Sequence, residues 1–184
     1  MERKSIHLAT SAIPVAYYFV LTREQILFLS VFLTVGFFTA DILRMKFALA
    51  QKYFIRIFSS LLRESEQLRR FTGASFLFLG ITITLAAFPK EIAIPSILLV
   101  TIADSLAALG GKWYGRHEFF NKTLEGTLTF IGTGCLLVAY FWGWSILVLL
   151  VVIPVAVVEL LGEKVNDNLT IPVISALLMQ VIYF

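Results

Sequence analysis

Three acidic residues lie in otherwise apolar stretches of the sequence: Asp41, Asp104 and Glu159. A carboxylate in an apolar environment is costly unless it is paired, so each of the three is a candidate for a functional site. The alternative is that each acid pairs with a nearby cation for packing alone, as Asp41 and Arg44 can at an i, i+3 spacing. Asp104 favours a functional interpretation because of the segment that follows it.

The segment after Asp104 combines glycines with positive charge. Glycines let backbone N–H groups approach an anion, and the cations neutralise phosphate. We therefore expect a phosphate-binding loop over 110–125, with Thr123 or Asn121 capping the next helix. The alternative is a solvated, positively charged turn that binds no ligand. The nucleotide-binding candidates are Gly110, Lys112, Gly115, Arg116, Lys122, Thr123, Gly126 and, further along the chain, Asn168.

Carboxylates on both sides of this segment predict a metal site. Asp104 precedes the segment, Glu125 closes it, and Asp167 lies in a polar stretch between the last two apolar runs. An all-oxygen ligand set favours Mg²⁺ or Mn²⁺ over zinc. A simple turn is the alternative for 166–168, because Asn-Asp-Asn is typical of turns.

The elements that position these residues must be membrane helices. Of the 184 residues, 59% are hydrophobic and 15% are charged, and the mean hydropathy is +0.88. This composition excludes a water-soluble enzyme and a disordered chain. At roughly 20 apolar residues per span, we expect an all-α polytopic protein with about seven transmembrane helices. The predicted spans are 6–21, 26–43, 72–88, 92–109, 126–142, 144–161 and 170–184.

The segment 44–70 differs from the predicted spans because it is amphipathic. Its cations fall on one side of a helix and its aromatic residues on the other. Lys52 and Arg56 would be costly in mid-membrane, so we expect a helix lying in the membrane interface rather than a further span.

The basic residues indicate the orientation. Of the 15 Lys and Arg residues, 13 fall on the side that holds the N-terminus under the seven-span assignment, and Arg23 and Lys90 fall on the other. The positive-inside rule then places the N-terminus and the candidate site in the cytoplasm and the C-terminus outside. We expect 1–184 to form a single integral membrane catalytic domain.

Four stretches of the sequence resemble the membrane CTP-dependent lipid alcohol kinases, a family that includes dolichol, phytol and farnesol kinases and the yeast-type diacylglycerol kinase. Arg3-Lys-Ser-Ile-His7 resembles their basic start, and Glu66 with Phe71-Thr-Gly73 resembles their entry to a span. More specific are two longer stretches. Asp104…Gly110…Gly115-Arg116…Lys122-Thr-Leu-Glu-Gly126 is similar to their glycine-rich segment, and Glu159…Asp167-Asn-Leu-Thr-Ile-Pro172 is similar to their ending.

The resemblance implies transfer of the γ-phosphoryl group of a nucleoside triphosphate, which is CTP in this family, to a lipid hydroxyl with Mg²⁺ or Mn²⁺. It implies Asp104, Lys122 and Asp167 as catalytic residues, and Asp104, Glu125 and Asp167 as metal ligands. Lys112 and Arg116 would join Lys122 on the phosphates. Further candidates are Glu66, Glu159, Arg44 and His7.

Three alternatives to a polyprenol-type or phytol-type kinase stay open: a CTP-dependent diacylglycerol kinase, a cytidylyltransferase that forms a CDP-lipid, and a small transporter. His7 could carry a proton, and packing near the interface is its alternative role. We expect no nucleic-acid partner, and the sequence leaves open whether the chain forms a homo-oligomer.

Overall fold

The computed structural model describes residues 2–58, 70–119, 122–161 and 166–183. Almost all of these residues are helical, apart from a two-stranded antiparallel hairpin that pairs Glu118 with Thr123 and Phe119 with Lys122. In chain order the elements are α1 (Glu2–Thr10), α2 (Ala12–Phe19), α3 (Arg23–Lys46), α4 (Ala48–Phe58), α5 (Gly73–Ala87), α6 (Lys90–Leu98), a π-helical turn (Leu99–Ala103), α7 (Asp104–Tyr114), β1 (Glu118–Phe119), β2 (Lys122–Thr123), α8 (Leu124–Trp142), α9 (Ile146–Leu160) and α10 (Asp167–Tyr183).

The predicted class, an all-α polytopic membrane protein, is confirmed. By length and composition, three described helices can cross a membrane: α3, the continuous helix Lys90–Tyr114, and α8. Three shorter apolar helices are α5, α9 and α10. The first predicted span is a pair, α1 and α2, interrupted at Ser11. A helix or a helix pair therefore lies in every span that the sequence predicted.

The helix Lys90–Tyr114, hereafter the central helix, forms the core of the bundle. In its most apolar stretch 78% of the residues are buried, against 17% in α3 and 28% in α8. It packs against α1, α2, α5, α8 and α10. A helix that is apolar on all sides and surrounded by others is an interior helix, whereas α3 and α8 keep most of their apolar side chains on the outside, as lipid-facing helices do.

A π-helical turn, Leu99–Ala103, interrupts the central helix directly before Asp104. The backbone N–H of Asp104 donates to the carbonyl oxygen of Leu99, five residues earlier. Such a turn inserts one residue and rotates everything after it about the helix axis, and these turns are frequent at functional sites. It therefore changes the face of the helix on which Asp104 projects.

The loop predicted over 110–125 is shorter in the structure, because α7 continues through both Gly110 and Gly111 to Tyr114. Here α7 and α8 pack at very close range. A Cβ atom added to Gly126 would lie 2.9 Å from the backbone oxygen of Ala107, and one added to Gly111 would lie 2.6 Å from Thr123 Oγ1. These glycines serve helix packing, and the sequence prediction that Gly110 and Gly111 lie in a loop was wrong.

The amphipathic segment is observed as α4, Ala48–Phe58; residues 59–69, and with them Glu66, lie outside the described residues. Its aromatic side faces the protein at one point, since the Phe54 ring lies 5.0 Å from the Arg44 guanidinium carbon. A second apolar stripe, Leu49, Tyr53 and Ile57, is exposed by 72%, 62% and 66%. This stripe borders the cations of α4, as expected of a helix in a membrane interface.

Candidate functional site

A cavity of about 310 Å³ opens at one end of the helical bundle. It is formed where α8 and α10 begin and α9 ends, with α1 and α7 completing its wall. Its charged lining residues come from five separate segments of the chain. The lining residues are Lys4, Asp104, Ala107, Ala108, Gly111, Lys122, Thr123, Gly126, Thr127, Glu159 and Asp167.

The first ion pair in the cavity joins α1 to α7. Lys4 Nζ lies 2.5 Å from Asp104 Oδ2, and the two side chains are 23% and 2% exposed. The Ser105 hydroxyl also donates to the backbone oxygen of Lys4, at 3.4 Å. Lys4 was not among the residues that the sequence singled out as site candidates. The available signal was that a carboxylate in an apolar helix requires a cation, and Lys4 precedes the first span.

The second ion pair connects β2 to the last two helices. Lys122 Nζ lies 2.6 Å from Glu159 Oε1 and 3.7 Å from Asp167 Oδ2. It also donates to the backbone oxygen of Glu159. Glu159 and Asp167 are each 4% exposed, so one partly exposed ammonium group neutralises two nearly buried carboxylates.

Among the described residues, the charge balance of the cavity lining is negative. These residues carry the two ammonium groups of Lys4 and Lys122 against the three carboxylates of Asp104, Glu159 and Asp167. With these five groups ionised their net charge is −1. Carboxylates this deeply buried are stable only when paired or coordinating a cation, so the cavity is suited to an additional cation.

The local structure explains how Lys122 reaches this position. Thr123 caps α8, as predicted, by accepting a hydrogen bond from the backbone N–H of Gly126 at 3.2 Å. The short β-hairpin returns the chain to this cap, and Lys122 lies one residue before it. The N-terminal end of α8, with its partial positive charge, therefore faces the cavity.

A buried hydrogen-bond network holds the N-terminal end of α5, which begins at Gly73, beside the cavity. Asp41 accepts from Arg44 Nε at 2.7 Å, from the Thr72 backbone N–H at 2.8 Å and from the Ser75 hydroxyl at 2.6 Å. The predicted Asp41–Arg44 pair is thus confirmed. The residue after Thr72, Gly73, accepts from Asn168 Nδ2 at 2.8 Å. The network therefore reaches the residue beside Asp167.

Several predicted site residues lie elsewhere. Lys112 and Arg116 are exposed and do not line the cavity. Glu125 is also absent from the lining, and its Oε1 lies 2.7 Å from His117 Nδ1. His7 is buried on α1, one turn beyond Lys4.

Among the described residues, no three His, Cys, Asp or Glu side chains lie close enough together to hold one metal ion. The predicted trio Asp104, Glu125 and Asp167 is therefore not brought together, because Glu125 points to His117. Glu159 takes the third carboxylate position on the cavity wall.

The fold and the site define a class: a polytopic membrane protein with a cavity of paired lysines and carboxylates at one end of its bundle. No protein-family model matches the chain, and no solved structure matches it. An uncharacterised protein of Rickettsia prowazekii is 32% identical over 181 residues, which cover 93% of this chain and 88% of the relative.

Other relatives carry functional names, including two kinases. CTP-dependent diacylglycerol kinase 1 of Schizosaccharomyces pombe is 29% identical over 167 residues, covering 79% of this chain and 75% of the relative. Phytol kinase of Synechocystis is 37% identical over 94 residues, covering 45% of this chain and 40% of the relative. The chain belongs to the CTP-dependent lipid kinase family, as its sequence motifs indicated.

Proposed function

We propose that this membrane lipid kinase transfers the γ-phosphoryl group of CTP to the hydroxyl of a membrane lipid alcohol. The observation that supports this most directly is the cavity in which Lys4 pairs with Asp104 and Lys122 pairs with Glu159. Phosphoryl transfer requires positioning and charge stabilisation more than covalent catalysis. Two ammonium groups and three carboxylates, at the end of a membrane bundle, supply both.

In the proposed reaction the lipid oxygen attacks the γ-phosphorus, the bond to the β-phosphate oxygen breaks, and CDP leaves. Lys122 and Lys4 are the cations among the described residues that line the cavity, and we assign them to the phosphate charge. The hydroxyl proton passes to a carboxylate, for which we propose Asp104, because it lies on the central helix and lines the cavity beside the two ammonium groups.

The residues at the cavity also offer the type of ligand atom, oxygen, that a divalent cation such as Mg²⁺ requires. In the cavity wall, Glu159 Oε2 is buried and has no hydrogen-bond partner among the described residues. The same holds for Asn168 Oδ1, on the residue next to Asp167, although Asn168 itself does not line the cavity. Orphaned carboxylate and amide oxygens are ligands that Mg²⁺ and Mn²⁺ accept. Asp104, Glu159 and Asp167 are the residues that would hold the ion, which would neutralise charge on the triphosphate. Since the three carboxylates are not close enough to share one ion as they stand, binding would have to draw them together.

The identity of the lipid alcohol that accepts the phosphoryl group is the most specific part of the proposal. The named relatives are diacylglycerol and phytol kinases, so we place diacylglycerol and phytol before polyprenol or dolichol. Phytol, polyprenol and dolichol present a hydroxyl at one end of a long hydrocarbon chain, and diacylglycerol presents one on a glycerol that carries two such chains. A cavity at the end of a membrane bundle suits that shape, because the hydroxyl can meet the nucleotide while the chain stays in the bilayer.

The deciding experiment is an assay of the purified protein in lipid nanodiscs. CTP or ATP labelled on the γ-phosphate is supplied with diacylglycerol, phytol or polyprenol. We expect a labelled lipid phosphate and CDP, with Asp104→Asn inactive but normally inserted. In a parallel reaction the alcohols are replaced by phosphatidic acid, and release of pyrophosphate with formation of a CDP-lipid there would identify a cytidylyltransferase instead. The absence of any lipid product from the alcohols would refute the proposal.

A further inference from the structure

A second cavity, of about 190 Å³, lies between α2, the central helix and α8. We call it the apolar groove. Its lining includes Pro14 and Val15 from α2, Leu98 and Ile102 from the central helix, and Leu137 from α8. Tyrosine hydroxyls are the only polar side-chain groups among the described residues of this lining. The groove is therefore suited to a hydrocarbon rather than to a nucleotide.

The apolar groove is open toward the outside of the bundle. Phe19 at the end of α2 is 74% exposed, and Tyr140 on α8 is 73% exposed. Both belong to the groove lining. In a membrane these residues face the acyl chains, so a lipid chain can enter sideways without passing through water.

The groove and the charged cavity are arranged along the same helices. On the central helix the groove runs from Ile94 to Ile102, which is about 12 Å at roughly 1.5 Å per residue. Ile102 is two residues before Asp104, or about 3 Å along the axis, and the two side chains project from nearly opposite sides of the central helix. The α1–α2 pair borders both sites, since Lys4 on α1 contacts Asp104 and Val15 on α2 lines the groove.

The far end of the groove is bounded by an aromatic pair. Tyr18 and Phe141 are in edge-to-face contact, with ring centroids 5.8 Å apart. Both rings also line a third cavity, together with Lys90 and Glu91. The groove is thus apolar along its length. The charged cavity lies beyond one end of it, and the charged residues Lys90 and Glu91 lie beyond the other.

We propose that the apolar groove holds the hydrocarbon chain of the lipid acceptor and so directs its hydroxyl to Asp104. This inference rests on the proposed phosphoryl transfer and adds the acceptor's binding site. Because bilayer chains are as apolar as the groove, occupying it provides little net affinity. Its contribution is orientation, which brings the hydroxyl and the phosphate into reacting position.

A matched pair of variants on α8 tests the proposal. Leu137→Trp fills the groove, whereas Leu136→Trp adds the same bulk at a neighbouring position that is 62% exposed and outside the lining. The measurement is the ratio of kcat/KM for a long acceptor to that for a short one. Dioleoylglycerol is compared with dihexanoylglycerol, or phytol with geraniol.

We expect Leu137→Trp to lower this ratio about tenfold, and Leu136→Trp to change it by less than about twofold. Equal ratios in the two variants and the wild type would overturn the groove assignment while leaving the kinase proposal intact. A wild type that phosphorylates none of these alcohols would instead refute the kinase proposal, so the two failures are distinguishable.

A binding measurement on the wild type covers the case in which Leu137→Trp does not fold. An acceptor with a diazirine in its chain is photolysed in nanodiscs, and the labelled residues are located by mass spectrometry. We expect labels on α2 and α8 residues of the groove that excess acceptor removes and excess phosphatidylcholine does not. Equal competition by phosphatidylcholine would identify a structural lipid and overturn the proposal.

Discussion

Replacing Lys122 by methionine removes one ammonium group from the cavity while keeping an unbranched side chain. Glu159 and Asp167 would then lose the cation that lies 2.6 Å and 3.7 Å from their oxygens. Breaking a buried ion pair costs about 3–5 kcal/mol. Because the Lys122 side chain is 22% exposed, we expect a smaller loss of about 2 kcal/mol, which lowers Tm by about 4–8 °C.

The same substitution should reduce catalysis by a separate route. If Lys122 donates to the triphosphate, a charge-assisted hydrogen bond of about 1.5–3 kcal/mol is lost. At about 1.4 kcal/mol per factor of ten, kcat/KM for CTP should fall roughly ten- to hundredfold. Lys122→Arg keeps the charge and should retain more of both stability and activity. The assay is labelled CTP turnover in nanodiscs, with thermal unfolding measured in the same preparation.

A double variant separates the two effects. Adding Glu159→Gln to Lys122→Met removes a carboxylate that has lost its cation, so we expect Tm to recover by several degrees. Activity should stay low, since the cation for the phosphates is still missing. Glu159→Gln alone completes the cycle, and Lys46→Met, at an exposed position on α3, is the control for loss of a lysine. Recovery of turnover in the double variant would show that Lys122 serves only to neutralise Glu159.

Three other predictions concern packing, orientation and the metal. Gly126→Ala should destabilise the protein by roughly 1–3 kcal/mol, because the new methyl group meets the α7 backbone. The control Gly132→Ala should leave stability unchanged, since no atom lies within 4 Å of its added methyl group. Equal Tm values for the two variants would contradict the close packing of α7 and α8. In a Cys135→Ala background, Glu91→Cys and Phe119→Cys should react with impermeant thiol reagents from opposite sides of the membrane. Labelling of both cysteines from the same side would exclude the proposed orientation. Activity should disappear in EDTA and return with Mg²⁺ or Mn²⁺, while activity that persists in chelator would remove the carboxylates from a metal-binding role.

The sequence alone determined the class of the protein and the positions of its helices. Composition and the length of the apolar runs are local properties, and each helix satisfies its own backbone hydrogen bonds in the bilayer wherever such a run occurs. The Thr123 cap and the Asp41–Arg44 pair were equally predictable. Both depend on residues three positions apart within one helical turn.

The sequence also identified most of the charged cavity. Asp104 was selected because carboxylates in apolar helices are rare and require partners, and Lys122 and Asp167 were selected from the polar segments between predicted spans. All three line the cavity. The resemblance to lipid kinases pointed to the same segments. The catalytic roles of these residues stay predictions that the variants above test.

Only the tertiary structure decided which carboxylates and cations meet. Lys4 and Asp104 are separated by 100 residues, and Lys122 and Glu159 by 37. Their pairing depends on how each helix is rotated about its axis, and the π-helical turn before Asp104 changes that rotation without a clear signal in the sequence. Glu125 illustrates the same limit, because its place in the first turn of α8 directs it to His117 and away from the cavity.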